Sequence, residues 1–452
     1  MKRLWIPLTL TLALALAAVQ QQWLQRRPPR LLAIEPAAAG SGLAAVELHF
    51  SRPMDGASLQ ANLQLPADQP HELLGEGNRW RLQLSGTTPI SKPLTLQIAG
   101  VDQRGNALEP SQWQWEPRPA LLASRPAGEN EQLLSWQEAT GWQKLTNLSG
   151  SVHSLLPLGN GSGAALVTAT DPLEKQVQRL RLSPDLTLID QRPLEREPVV
   201  FASLSTNNAG DLLVQRSKLQ QSYAQVELWN ATGKRRQLPM TAGGPIRLVP
   251  QGGLAVVPEE DGIALQTLPP LPAKRDFLPG LRDLSSFCPQ AGRAVLVRHW
   301  PDYRRSIELL EPGRAPRQLW IGTEALLSSA CAGAADRIWI LLLSGIADPL
   351  LELVELNRDG EVLKRMALEG YEPEPGSQMH YDPSRRALLL LLKQRSAQGA
   401  SQALPEAHLF TVDTGVLQAI PGPIGHAGWL PSRQITQLRR GAPRRAANTS
   451  ST

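Results

Sequence analysis

The stretch LLVQRSKLQQSYAQVELWNATGKRRQL, Leu212 to Leu238, contains the pattern that decides the fold. An apolar strand is followed by a polar loop, a second alternating strand and a hairpin that turns at Gly233. Alternation with a period of two is typical of β-strands, and a turn residue followed by glycine lets the chain reverse direction. The stretch therefore predicts consecutive antiparallel strands of a single sheet.

This unit recurs through residues 119–440 at separations of 41 to 50 residues. The equivalent strands begin at Ala165, Leu212, Leu254, Val295, Ile338, Leu388 and Ile435. About four short strands in each period of this length are the signature of a β-propeller blade. In rhythm the region resembles the WD- and Tol-type propellers of bacterial envelopes. The Gly-His and Trp-Asp signatures are absent, so the resemblance concerns architecture only.

The two ends of the repeat region are each incomplete. Leu133–Thr146 supplies fewer strands than a full unit, and the last segment, Gly425–Leu438, supplies only one or two. Strands from both ends would together make one blade and close the ring. This predicts seven four-stranded blades, with six as the alternative. A closed ring has no open sheet edge.

Residues 31–118 show a different all-β pattern. Short alternating segments from Leu43 to Trp115 predict a small β-sandwich. The first strand ends before Pro53, which cannot donate a ladder hydrogen bond. The block FSRPMDGASLQANLQL resembles the bacterial Ig-like domain of the S-layer-protein type, and so does the later Asp-x-x-Gly-Asn turn, formed here by Asp102, Gly105 and Asn106. The resemblance implies a rigid spacer or adhesion module without enzymatic activity.

The N-terminus predicts export. Lys2 and Arg3 precede an apolar run, Leu4–Val19, which is short for a membrane span and long enough for a signal peptide. We assign residues 1–22 to a signal peptide or membrane-anchor helix and residues 23–30 to a linker. Cleavage and retention both stay open. Either way, the rest of the chain is expected in the periplasm or at the cell surface, and the retained helix would bind it to the cytoplasmic membrane.

The overall charge gives no reason to expect a nucleic-acid partner. The chain has 46 Lys and Arg against 41 Asp and Glu, a net charge of +5, and these charges are dispersed. The clearest basic cluster, RRGAPRR, lies at the end of the chain, where residues 441–452 are expected to form a disordered tail. The glycine-rich stretches lack a phosphate-loop context, so no cofactor is predicted.

The chain contains two cysteines and seven histidines, which are candidate site residues. Cys288 and Cys331 lie at equivalent points of adjacent predicted blades. A disulfide is one alternative in an oxidising compartment, and two buried free thiols are the favoured state. His153, His380 and His426 fall near predicted innermost strands and would line a central channel. A histidine cluster there could bind a metal or a carboxylate, but no histidine pair has metal-ligand spacing, and partly buried, hydrogen-bonded histidines are the favoured interpretation, so no metal site is predicted. No serine lies in a Gly-x-Ser-x-Gly elbow, and no catalytic residue is predicted.

One loop stands out as a candidate binding surface. His299, Trp300, Asp302, Tyr303 and Arg304 belong to a loop between the second and third strands of a predicted blade. Aromatic side chains beside arginine are enriched where proteins bind partners. The alternative is that Trp300 folds over the rim of the blade.

These observations favour a non-enzymatic envelope protein in which an Ig-like spacer presents a β-propeller to a protein or a glycan. A propeller hydrolase or lyase acting on polysaccharide is the first alternative. Such an enzyme would bring two carboxylates, or a histidine and a carboxylate, together at the channel mouth. A purely structural surface protein is the second alternative.

Overall fold

The computed structural model describes residues 13, 15–17, 19–23, 26–171, 173–195, 197–219, 221, 223–345, 349–395 and 404–438. Within these ranges, no helix has both the length and the apolar character needed to cross a membrane. Most of the apolar run Leu4–Val19 lies outside the described residues, and so does the tail 441–452.

The N-terminal part consists of two sheets that share one hydrophobic core. The first has the strands β1 (Leu31–Ala37), β2 (Ala44–Phe50), β3 (His71–Glu76) and β4 (Arg79–Leu84), in the order β1-β2-β4-β3. The second contains β5 (Leu94–Val101) and β6 (Ala107–Trp115), and the short helix α1 (Gly56–Asn62) lies between β2 and β3 in the chain. Apolar residues from every second position of β2, β4 and β5 fill the core, together with Trp115. We refer to this part as the sandwich.

The two sequence blocks quoted above form local hydrogen-bonded turns. Asp55 caps helix α1, because its Oδ1 accepts a hydrogen bond from the backbone N–H of Ser58 at 2.7 Å. Asp102 Oδ1 accepts backbone hydrogen bonds from Arg104 and Asn106, while Gly105 adopts a positive φ of 80°. Burial alone would raise the pKa of Asp102, but these hydrogen bonds outweigh it and the pKa is lowered.

Most of the described chain after residue 119 forms seven antiparallel sheets that resemble propeller blades. Blade 1 contains β10 (Ser151–Pro157), β11 (Gly163–Asp171), β12 (Glu174–Leu182) and β13 (Leu188–Pro193). Blade 2 contains β14 (Phe201–Thr206), β15 (Leu212–Ser217), β16 (Gln225–Trp229) and β17 (Arg235–Leu238). Blade 3 contains β18 (Arg247–Leu248), β19 (Leu254–Glu259), β20 (Gly262–Thr267) and β21 (Arg275–Pro279). In each blade the strands run from the axis outward in chain order.

Blades 4 and 5 repeat this arrangement. Blade 4 contains β22 (Arg282–Phe287), β23 (Ala294–His299), β24 (Arg305–Leu310) and β25 (Arg317–Gly322). Blade 5 contains β26 (Ala325–Cys331), β27 (Arg337–Ser344), β28 (Leu350–Asn357) and β29 (Val362–Ala367). Their facing surfaces share an apolar core that includes Val295, Ile307, Ile338 and Ile340. Packing between neighbouring sheets therefore stabilises the ring.

Blade 6 departs from the pattern because its innermost strand is interrupted. Its strands are β30 (Tyr371–Pro373), β31 (His380–Asp382), β32 (Ala387–Gln394), β33 (Glu406–Thr411) and β34 (Val416–Ile420). Both β30 and β31 pair with β32, at opposite ends of that strand. The intervening residues 374–379 leave the sheet, and residues 375–379 line the axis of the ring.

Blade 7 closes the ring with strands from both ends of the propeller. It consists of β35 (Ala427–Leu430), β7 (Ala120–Ala127), β8 (Asn130–Gln137) and β9 (Gly141–Leu148), in that order. Its innermost strand β35 contacts β10 of blade 1. The described residues therefore form seven blades, and the two incomplete end segments meet in one sheet as the sequence predicts.

The last described strand does not belong to the propeller, contrary to the boundary at residue 440 that the sequence indicated. The strand β36 (Ile435–Leu438) pairs with β6, and the resulting order β36-β6-β5 completes the second sheet of the sandwich. Ile435 packs against the sandwich core, which explains why this strand leaves the ring. The position that ITQL was expected to fill in the repeat is occupied by β7, as the second strand of blade 7.

A polar network fastens the sandwich to the propeller. Arg118 binds Glu116 through two hydrogen bonds and reaches Glu138 of blade 7 at 2.6 Å. Arg385 of blade 6 binds the other oxygen of Glu138 at 3.0 Å and Asp382 at 2.7 Å. Both arginines are at least nine-tenths buried. The two domains therefore meet through charge-assisted hydrogen bonds whose donors are shielded from water.

Candidate binding sites on the propeller

The predicted binding loop lies between β23 and β24 at an exposed edge of blade 4. The backbone N–H of Tyr303 donates to Trp300 O, and Tyr303 adopts a positive φ of 65°. This turn leaves the Tyr303 side chain 92% exposed. Arg304 Nε donates to Asp302 Oδ2 at 2.7 Å, so these two charges compensate each other. Burial alone would raise the pKa of Asp302. The hydrogen bonds from Arg304 outweigh burial, so the pKa of Asp302 is lowered.

The indole of Trp300 is held against the blade. Its Nε1 donates to Ser306 Oγ at 3.0 Å, and the Arg298 guanidinium lies 3.9 Å from the ring centre. His299 Nε2 lies 2.8 Å from Asp283 Oδ2. Trp300 therefore supports the loop, as in the alternative considered above, and Tyr303 is the aromatic residue that this loop presents to solvent.

Other exposed apolar side chains accompany Tyr303. In a propeller the loops between the second and third strands of all blades lie on one face. Leu173 in blade 1, and Leu219 and Tyr223 in blade 2, occupy these loops and are each at least 66% exposed. We call the surface that contains Leu173, Leu219, Tyr223 and Tyr303 the loop face. The opposite face carries the loops that contact the sandwich, for example through Ser384 O, which accepts from Ile90 N.

A second candidate site lies on the axis of the ring. The innermost strands enclose a cavity of about 640 Å³, which we call the axial cavity. As the sequence suggested, His153, His380 and His426 all line it. Arg247, from the two-residue strand β18, lines it as well, and no pattern in the sequence distinguishes this residue.

The three channel histidines differ in environment. His426 Nε2 lies 2.8 Å from Val152 O, so in the neutral ring this nitrogen carries the proton and Nδ1 is the acceptor. Burial and the Arg247 charge lower the pKa of His380 to about 4. Burial lowers the pKa of His153, and the Lys175 and His426 charges add to the effect. The lowered pKa values of His153 and His380 favour the neutral form of these two rings near pH 7.

The polar lining of the axial cavity consists mainly of hydroxyl and imidazole groups. Its described lining includes six serines and no aspartate or glutamate. Glycoside hydrolysis normally uses two carboxyl groups about 5–9 Å apart. That pair is not found among the residues described around the cavity. Nor do the described His, Cys, Asp and Glu side chains form a group of three or more that could hold a metal ion.

Cys288 and Cys331 are bonded to each other in the structure, with a separation of 43 residues in the chain. They connect the ends of β22 and β26, the innermost strands of blades 4 and 5. Both are almost fully buried, and Cys331 also lines the axial cavity. The two strands are therefore close enough for the disulfide alternative rather than the pair of free thiols that the sequence favoured.

Comparisons with known proteins give structural similarity only. No family model matches the chain, and no curated protein matches it. TolB from Acinetobacter baumannii matches 82% of this chain and 84% of its own, with 10% identity and a TM-score of 0.42. AztD from Citrobacter koseri matches 71% of this chain and 100% of its own, with 8% identity and a TM-score of 0.45.

The β-propeller domain of Cps50 (Swd1) from Myceliophteria thermophila matches 60% of this chain and 87% of its own, with 10% identity and a TM-score of 0.38. At TM-scores of 0.45 or less, these three structures carry no argument about what the present chain binds. The propeller architecture rests on the strand order and ring closure described above.

Proposed function

We propose that this chain is a non-enzymatic extracytoplasmic binding protein of the cell envelope. The sandwich, as an Ig-like domain of the S-layer-protein type, acts as a spacer and holds the propeller. The loop face binds another envelope protein or a glycan. The observation that carries the proposal is the exposure of aromatic and apolar side chains on the face remote from the sandwich, with Tyr303 at 92% and Tyr223 at 75%.

The joint between the domains supports the role of the sandwich as a spacer. A spacer must hold its neighbour in a fixed orientation, and a single flexible linker would not do so. Here the chain crosses between the domains twice, once after β6 and once before β36. The buried hydrogen bonds of Arg118 and Arg385 lie at the same junction. This arrangement keeps the loop face directed away from the sandwich.

An envelope location is supported by the sequence of the N-terminus. Lys2 and Arg3 followed by the apolar run Leu4–Val19 have the composition of an export signal. A fusion of alkaline phosphatase to the C-terminus of the full chain tests this part of the proposal. We expect an active fusion, and an inactive fusion with the Leu10→Arg substitution in the apolar run. An inactive wild-type fusion of full length would contradict export.

Binding is tested by a pull-down from envelope extract with the full chain as bait, read by mass spectrometry beside a glycan array. The test variant is Tyr223→Ala/Tyr303→Ala. The matched control is Leu363→Ala/Val416→Ala, which removes two exposed apolar side chains from the outermost strands β29 and β34. We expect the wild type and the control to retain the same partner or glycan and the tyrosine variant to lose it. Equal capture by all three proteins would reject the loop face, and no specific capture by the wild type would reject the binding function.

A further inference from the structure

The axial cavity contains an arginine, Arg247, that has no ionic partner among the described residues. Arg247 is partly buried, and no carboxylate of the described residues lies within ion-pair distance of it. Its one described hydrogen bond, to Leu204 O, is long at 3.5 Å. Burial lowers its pKa, which expresses the cost of holding a guanidinium away from water. A buried cation of this kind is stabilised when a fixed or bound anion compensates its charge.

Other buried arginines of this chain have such a partner. Arg216 binds Glu227 at 2.7 Å and contacts Glu195, and Arg282 Nε binds Glu308 at 2.7 Å. Arg179 is an exception, but two backbone carbonyls accept hydrogen bonds from its guanidinium. Within the described part of the chain, Arg247 has the single long hydrogen bond to Leu204 O, and it lines an open cavity. Space for a ligand is therefore available beside the uncompensated charge.

Hydroxyl groups on the next innermost strands provide further donors. Ser329 Oγ lies 2.7 Å from Ser285 Oγ and 2.8 Å from Ser286 Oγ. Three hydroxyl groups have three protons, and two hydrogen bonds between them use two. One proton of this serine cluster is therefore left to donate to another acceptor. Ser285 and Ser286 belong to β22, which follows the strand of Arg247 around the ring.

The residues that line the axial cavity favour the binding of an anion over the binding of a cation. The described lining contains one arginine, three histidines and no carboxylate. The nearby Glu131 influences the pKa of His153 but is engaged with the backbone N–H of Val152 at 2.7 Å and does not line the cavity. A cavity of about 640 Å³ is in the range that accommodates small molecules.

We propose that the axial cavity binds a small molecule through a carboxylate or phosphate group, with Arg247 as its principal ionic partner and the cluster of Ser285, Ser286 and Ser329 as a hydrogen-bond donor. This site is separate from the loop face, so it does not depend on the function proposed above. Carboxylate and phosphate share the oxygen acceptors that a guanidinium fork recognises. The experiment distinguishes the two groups.

The test is calorimetric titration of the full chain with inorganic phosphate and, separately, with succinate, at low chloride in a buffer that contains neither. We expect at least one probe to bind with a stoichiometry of one. Arg247→Gln should weaken this binding about tenfold or more, because it removes a charged hydrogen-bond donor. Arg247→Lys should retain part of the affinity. Arg181→Gln, which removes an exposed arginine of β12, should bind as the wild type does.

A second measurement guards against a variant that folds poorly. A ligand that binds the folded state raises the thermal unfolding temperature. We expect the effective probe to raise this temperature in the wild type and in Arg181→Gln, and to raise it much less in Arg247→Gln. Binding of phosphate alone would assign a phosphate group, and binding of succinate alone would assign a carboxylate. The proposal is rejected if neither probe binds the wild type, or if Arg247→Gln binds with unchanged affinity.

Discussion

Arg385 Nε lies 3.0 Å from Oε1 of Glu138, although 247 residues separate the two in the chain. The second oxygen of Glu138 accepts from Arg118 Nη1 at 2.6 Å. A single carboxylate thus connects blade 6, blade 7 and the residue at which the chain leaves the sandwich. These hydrogen bonds hold the two domains together. In the described part of the chain, the covalent connections between the domains are its two crossings, after β6 and before β36.

Replacing Arg118 by alanine should destabilise this joint. The change would leave Glu116 with a buried, uncompensated charge, and we expect a loss of about 2–4 kcal/mol in the free energy of unfolding. The estimate is below the loss for a fully buried pair because Glu138 is 43% exposed. Denaturant unfolding measures it, with the exposed Arg181→Ala as the matched control. A loss no larger than that of the control would show that the network contributes little to stability.

Gly161 of blade 1 packs closely against Pro431, which lies between β35 of blade 7 and β36. Its φ is 71°, and a Cβ there would lie 2.2 Å from Pro431 O. Gly313 has a φ of 68° and nothing within 4 Å of the same position. Gly313→Ala should cost about 1 kcal/mol from the backbone conformation, and Gly161→Ala about 1–3 kcal/mol more, from steric overlap. Thermal unfolding of the two variants compares them directly, and equal losses would argue against close packing at Pro431.

The bond between Cys288 and Cys331 should contribute to stability. A cross-link over 43 residues restricts the unfolded chain, and its removal is expected to cost about 2–4 kcal/mol. Reductant should therefore lower the unfolding temperature of the wild type and leave that of Cys288→Ser/Cys331→Ser unchanged. Mass spectrometry after thiol alkylation in denaturant without reductant provides the control, since unfolding exposes both buried cysteines and bonded cysteines are not alkylated. Two alkylated cysteines in the wild-type protein would contradict the bond.

Stability should fall at mildly acidic pH because of His380. Burial and the Arg247 charge lower its pKa to about 4 in the folded protein, against 6.5 for the free side chain. Between these values the unfolded state binds a proton that the folded state does not. The free energy of unfolding therefore decreases as pH falls, by about 2–3 kcal/mol between pH 6.5 and 4.5.

The variant His380→Gln isolates this contribution. Its free energy of unfolding, measured with urea in phosphate-free buffer, should decrease less than that of the wild type over the same pH interval. His153 offers a comparison because it is less buried than His380, and His153→Gln should follow the wild type more closely. Parallel decreases in the wild type and His380→Gln would mean that this ring titrates normally.

Much of the architecture could be predicted because it depends on local patterns. The second strands of blades 1 to 6 begin within two residues of the positions that the repeat indicated, since alternation and turn residues mark each of them. Closure by strands from both ends also followed from the two incomplete units. The pairing of Ile435–Leu438 with the sandwich could not be predicted, because four alternating residues fit either sheet equally well. Only the long-range pairing with β6 decides between the two sheets.

The axial cavity was predictable only in part. Histidines near innermost strands could be placed on the channel from their position in the repeat. Arg247 could not, because β18 has only two residues and no alternation to reveal which way its side chains point. The interruption of the innermost strand at residues 374–379 was missed for a similar reason. Its consequence, a segment lining the axis, depends on how β30 and β31 share β32.

The return of β36 makes the propeller an insertion within the sandwich. A protease that cuts the chain once near residue 118 would leave the propeller attached through the second crossing, near residue 434. The sandwich expressed as residues 31–118 alone would lack an edge strand and leave one side of β6 unpaired. The first and last residues of the propeller, near 119 and 431, lie side by side in blade 7. The whole propeller could therefore be replaced by another domain whose two ends are equally close together.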